Sequence, residues 1–284
     1  MQSTDRQTQK WPGANRQTAD RQTPGRQTPD RPGTDGRTTG RYSLVDGIRG
    51  LAVVNMIAFH FLFDWFEIFH GDYSWYWMTP VRIWQQFICW TFILVSGFVW
   101  TWGNQKNLQR GLFLNFCGCM ISLVMLLFLP EQAIWFGILN FYGCAVLLTI
   151  PLEKLLCRIP PEAGLAAAFV LFLLTQDLQL GYLGAAGVHL AEVPRVLYTW
   201  KPMTILGFPY PGFRSSDYYP MLPWYFLFLC GYFLQMLFER HPKAQRAAHR
   251  FVPFLTPVGR KSIWIYLLHQ PVCYAAAAFL SRFI

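Results

Sequence analysis

The chain has 284 residues, 53% of them hydrophobic, 18% aromatic and only 14% charged. An ordinary soluble domain carries about 25% charged residues, so this composition excludes that class and points to a polytopic membrane protein. The net charge of +9 does not call for a nucleic-acid partner, because the basic residues cluster at the ends of apolar runs, where membrane topology accounts for them.

Residues 1–41 differ from the rest. Arg-Gln-Thr recurs at Arg6, Arg16, Arg21 and Arg26, among Pro, Gly and Asp and almost no aliphatic side chains. Such a segment buries too little to offset the entropy of ordering it, and a disordered basic tail is expected. Its eight Lys and Arg against four Asp suit anionic headgroups at about 1 kcal/mol for each close basic residue. A linker with no task fits the composition equally well.

The second domain, 42–284, reads as an all-α transmembrane bundle. About 20 apolar residues cross a bilayer, and seven such runs fall near 48–69, 82–102, 111–129, 132–152, 164–182, 221–239 and 260–282. Pro130, Pro151, Pro160, Pro161, Pro220 and Pro223 fall at or near their ends, where helix-breaking residues are tolerated. Lys106, Arg110, Lys154, Arg158, Arg240, Lys243, Arg246 and Arg250 lie in the second, fourth and sixth connections, whereas the first and third have no basic residue. The positive-inside rule then puts the N-terminus in the cytoplasm and, with seven spans, the C-terminus outside.

Two histidines lie inside these spans. His60 follows Arg49 by eleven residues in the first, and His269 follows Arg260 by nine in the last. At 1.5 Å per residue the rings stand about 16 Å and about 13 Å beyond their arginines, near mid-membrane. Eleven residues at 100° return to within about 20° of the starting direction, so Arg49 and His60 share a helix face. Asp46, Asp64 and Glu67 extend that polar stripe. Ionisable groups in hydrocarbon cost several kcal/mol, so the stripe is expected to line a cavity. Each residue has a plainer reading: a lone intramembrane histidine often makes only an interhelical hydrogen bond, worth about 0.6 kcal/mol, and arginines near span ends snorkel to headgroups. His70, His189, His241 and His249 lie in connections and read as solvated.

The segments Arg41-Tyr-Ser-Leu-Val-Asp46-Gly-Ile-Arg49-Gly, Phe59-His60 with Asp64, Ser96-Gly97-Phe98, Asp217-Tyr-Tyr-Pro220-Met-Leu-Pro223-Trp224 with Gly231, and Gly259-Arg260-Lys261-Ser262 through Tyr266 to His269-Gln270-Pro271 together resemble the heparan-alpha-glucosaminide N-acetyltransferase catalytic domain, in the form found in short bacterial membrane proteins. The likeness covers about 41–284. The arginine, ten residues, histidine pattern is also similar to that of bacterial membrane acyltransferases acting on polysaccharides.

The resemblance implies transfer of an acetyl group from cytoplasmic acetyl-CoA to an amine or hydroxyl of a sugar across the membrane, which for the short bacterial form is the bacterial inner (cytoplasmic) membrane. Arg49, Arg260 and Lys261 would bind the donor's phosphates through charge-assisted hydrogen bonds, with the small residues Ser96 and Gly97 letting the pantetheine arm pass. A neutral imidazole, with an ordinary pKa of about 6.5, suits His60 as general base, oriented by Asp64. His269 and Gln270 would polarise the thioester carbonyl or bind the acceptor, with Asp217 also on the acceptor side, and a route through acetyl-histidine is open as well. The chain is shorter than the lysosomal enzymes of the family, which favours a cell-envelope glycan, amino sugar or polyol over heparan sulfate as acceptor.

No metal is expected: the seven cysteines show no Cys-x-x-Cys and no histidine at zinc spacing, and read as small apolar fillers. The rival function is a proton-coupled transporter or exporter in which Arg49, His60, Asp64 and His269 relay protons. That class should show paired helix interruptions from an internal repeat, and the two halves of this sequence do not match convincingly.

Overall fold

The computed structural model describes residues 42–283. The basic tail anticipated over 1–41 lies outside the described residues. The helices, in chain order, are α1 (Ser43–Phe63), α2 (Ser74–Trp77), α3 (Thr79–Phe98), α4 (Trp100–Gly103), α5 (Asn107–Phe128), α6 (Ile138–Leu156), α7 (Pro161–Leu174), α8 (Met221–Glu239), α9 (Pro242–Ala248), α10 (Leu255–Arg260) and α11 (Ser262–Leu280). A π-helical turn, Asp64–Phe69, prolongs α1. Strands β1 (Tyr182–Ala185) and β2 (Val188–Glu192) form an antiparallel hairpin between α7 and α8.

The seven long helices α1, α3, α5, α6, α7, α8 and α11 follow the seven apolar runs in order. Among the described residues, six are long and apolar enough to cross a membrane. The seventh, α3, has comparable length but includes Thr79, Arg82, Gln85 and Gln86 in its first half. Pro151 departs from expectation: α6 continues through it to Leu156. A membrane helix tolerates this because neighbouring groups can satisfy the freed backbone. The fifth span covers Pro161–Leu180, its α-helical part ending at Leu174 and a 3-10 turn, Leu178–Leu180, leading to the hairpin.

The core has three parts. Ile93, Phe141, Phe172 and Phe228 join α3, α6, α7 and α8. Met56, Phe59, Val81 and Ile88 join α1 to α3, and Leu114, Cys117 and Leu139 on α5 and α6 meet Ile263, Tyr266 and Leu267 on α11. Thus α11 packs beside both α1 and the α5–α6 pair, bringing together the first and last helices of the sequence. Outward-facing apolar side chains such as Phe113, Phe116, Leu127, Leu268 and Val272 remain exposed, as a hydrocarbon-facing surface requires.

Two glycine pairs set the closest helix contacts. A Cβ on Gly50 would run into the Leu255 carbonyl, and one on Gly259 into that of Asp46, so α1 and α10 touch backbone to backbone. Gly97 and Gly231 do the same for α3 and α8, against Phe228 and Leu94. Small residues allow such approach between membrane helices. Gly97 is therefore a packing residue against α8.

Candidate functional site between the first and last helices

The polar stripe of α1 is turned inward. Asp46 and Asp64 are 4% and 0% exposed, and Arg49, His60 and Glu67 are partly buried. The His60 and His269 rings lie with centroids 4.7 Å apart, so the two histidines of the first and last spans share one site. His269 is 8% exposed, and its Nδ1 bonds the Tyr266 carbonyl oxygen one turn earlier. A carbonyl only accepts, so in the neutral ring Nδ1 carries the proton and Nε2 holds the lone pair. That Nε2 is buried and has no hydrogen-bond partner among the described residues.

Asp64 does not orient His60 through a hydrogen bond. Its Oδ1 accepts from Gln270 Nε2 at 3.1 Å, tying the end of α1 to α11. The backbone between them is still α-helical, with the Asp64 N–H on the His60 carbonyl oxygen, and it is the Asp64 carboxylate that turns to α11. Asp64 Oδ2, Glu67 Oε1 and Gln270 Oε1 are buried without partners among the described residues. With His269 Nε2 they are all acceptor atoms if the carboxyls are ionised, a setting for hydrogen-bond donors.

At the opposite end of the stripe, Asp46 lies 3.6 Å from both Arg49 Nη1 and Arg260 Nε. Arg260 also reaches Ser43 Oγ at 3.5 Å, and Lys261 is exposed beside it. Arg110, on the first turn of α5, donates to the buried Ser96 Oγ at 3.4 Å and lies within electrostatic reach of Arg49. From the sequence Arg110 reads as a topology charge of the second connection. The available signal was its position early in an apolar helix, like Arg49. Tyr142, on α6, packs on the cluster of Leu114, Cys117 and Leu139 that Tyr266 also joins, and its hydroxyl is also buried and unpartnered among the described residues.

Asp217 lies in the connection before α8, within electrostatic reach of Tyr142 and Tyr266. Its Oδ2 accepts from the Ile138 backbone N–H at 3.0 Å, capping α6, and Ser215 Oγ joins the same connection to Trp135. Burial pushes the Asp217 carboxyl up to about 6, against the opposing pull of the Ile138 hydrogen bond. Next to it, Cys89 Sγ contacts the Tyr219 hydroxyl at 2.7 Å. The seven cysteines are free thiols. His70, His189, His241 and His249 are exposed.

A helix bundle long and apolar enough for a bilayer, with paired imidazoles inside and guanidiniums at one end, defines an integral membrane protein with an interior acid–base site. Residues 41–271 match the model for heparan-alpha-glucosaminide N-acetyltransferase, catalytic, and the chain belongs to that family of membrane acetyltransferases. No curated protein and no solved structure matches the chain.

Proposed function

We propose that the protein transfers an acetyl group from acetyl-CoA to an amine or hydroxyl of a sugar or cell-envelope glycan, in a bacterial inner membrane with the Arg49 end facing the cytoplasm. The observation carrying this reading is the pairing of His60 and His269, with a buried imidazole nitrogen that has no partner among the described residues, and with Arg49 on α1, Arg260 at the end of α10 and Arg110 on the first turn of α5. The anionic donor fits that end: Arg49, Arg260 and Lys261 would hold its phosphates, with Arg110 and Ser96 further in. The donor supplies an activated thioester.

His269 is the stronger candidate for general base, because the Tyr266 carbonyl fixes the tautomer that leaves Nε2 able to take the acceptor's proton. His60 packs on that ring and is the other catalytic candidate. Asp64 and Gln270, linked to each other, offer unpartnered oxygens to the acceptor's N–H or O–H groups. Asp217 supports the acceptor side by fixing the connection to α6.

Purified protein supplied with labelled acetyl-CoA and a panel of amino sugars and polyols tests the assignment. Acetylated product is expected, and H269A should lower the rate by about 10²–10⁴-fold, the range for a lost general base. Proton-driven uptake into vesicles without acetylation would instead support the transporter reading.

A further inference from the structure

The tautomer of His269 raises a question about the other half of the reaction. With Nδ1–H committed to Tyr266, its free nitrogen accepts and cannot also donate to a thioester carbonyl. The Gln270 oxygen is an acceptor too, as are the unpartnered oxygens of Asp64 and Glu67 in their ionised forms. Negative charge developing on a carbonyl oxygen requires a donor aimed at it. His60 has a ring N–H beside His269, but the buried Tyr142 hydroxyl is placed differently. It packs on the α5–α6 cluster that Tyr266 of the histidine-bearing helix also joins, and lies within electrostatic reach of Tyr266, Arg49 and Arg110 as well as of Cys89 and Asp217. A buried O–H without a protein partner is costly to retain for packing alone.

We propose that Tyr142 is a catalytic hydrogen-bond donor whose hydroxyl holds the thioester carbonyl oxygen and the charge that oxygen gains. This rests on the acetyl-transfer reading above. The acceptor nitrogen or oxygen bonds to the carbonyl carbon while its proton passes to His269 Nε2. The carbon–oxygen π pair moves onto the oxygen beneath the Tyr142 O–H. Return of that pair breaks the carbon–sulfur bond, and the departing thiolate takes the proton back from the imidazolium.

The test is Tyr142→Phe in purified protein, with acetyl-CoA as donor and the amino sugar or polyol that the wild type acetylates as acceptor. A fall in kcat of about 10²-fold is expected, as for loss of one oxyanion donor, with KM for acetyl-CoA changed less than threefold. The melting temperature should stay level or rise, because the change removes an unsatisfied buried polar group. Infrared spectra of bound acetyl-CoA labelled with 13C at the carbonyl provide the second readout. The carbonyl band should be shifted to lower frequency in the wild type and should lose that shift in Y142F. A kcat within threefold of wild type, or an unchanged band, overturns the role of Tyr142 and leaves acetyl transfer standing. No acetylation by the wild type overturns both.

Discussion

The chemical character of His269 comes from a carbonyl three residues before it. Tyr266 and His269 are one helical turn apart, and the resulting hydrogen bond decides which ring nitrogen is available. Asp217 shows the opposite use of an ionisable group, as a cap whose charge is penalised by burial. Its carboxyl sits at about 6 in the fold against the ordinary 3.8, so the folded protein retains a proton that the unfolded chain releases. The stabilisation from that proton is complete below pH 3.8 and is lost as pH rises through 6. Asp217→Asn preserves an accepting oxygen and removes the titration. Its melting temperature relative to wild type should therefore climb between pH 5 and pH 7.5, by an amount equivalent to at most about 3 kcal/mol; a flat difference across that range would contradict the linkage. The two intramembrane histidines were legible from spacing alone. The His269 tautomer and the Asp64–Gln270 hydrogen bond were not, since both depend on rotamers and on contacts between helices far apart in sequence.

At the scale of elements, the apolar runs identified the long helices because bilayer thickness constrains both length and composition. The π-helical turn at Asp64–Phe69 and the β1–β2 hairpin leave no comparable hydropathy signal. The glycines in the first and last motifs acquire a physical reason only once α1 and α10 are seen in contact. Gly50→Val would force a side chain into the Leu255 carbonyl, and overpacking of this kind costs about 1–3 kcal/mol or more. Thermal unfolding in detergent should fall by several degrees for G50V, while Ala167→Val, at an exposed position on α7, should change little. Equal melting temperatures for the two variants would mean that the α1–α10 contact yields easily.

For the whole molecule, the proposed topology counts α3 as a seventh span beside the six helices long and apolar enough to cross, which would put the two ends of the described bundle on opposite faces of the membrane. Basic residues in the alternate connections favour the cytoplasm for the Arg49 end. A reporter active only outside the cytoplasm, fused after Ile284, should therefore be active in bacterial cells, and an inactive fusion would reverse the proposed orientation. The anionic donor and the sugar would then approach the histidines from different compartments. The order of synthesis also acquires meaning from the adjacency of α1 and α11. His60 emerges from the ribosome some two hundred residues before His269, so a partly made chain holds only half of the imidazole pair. On the proposed mechanism, insertion of the last helix would be the event that completes the catalytic pair, and an unfinished copy left in the bilayer would consume no acetyl donor.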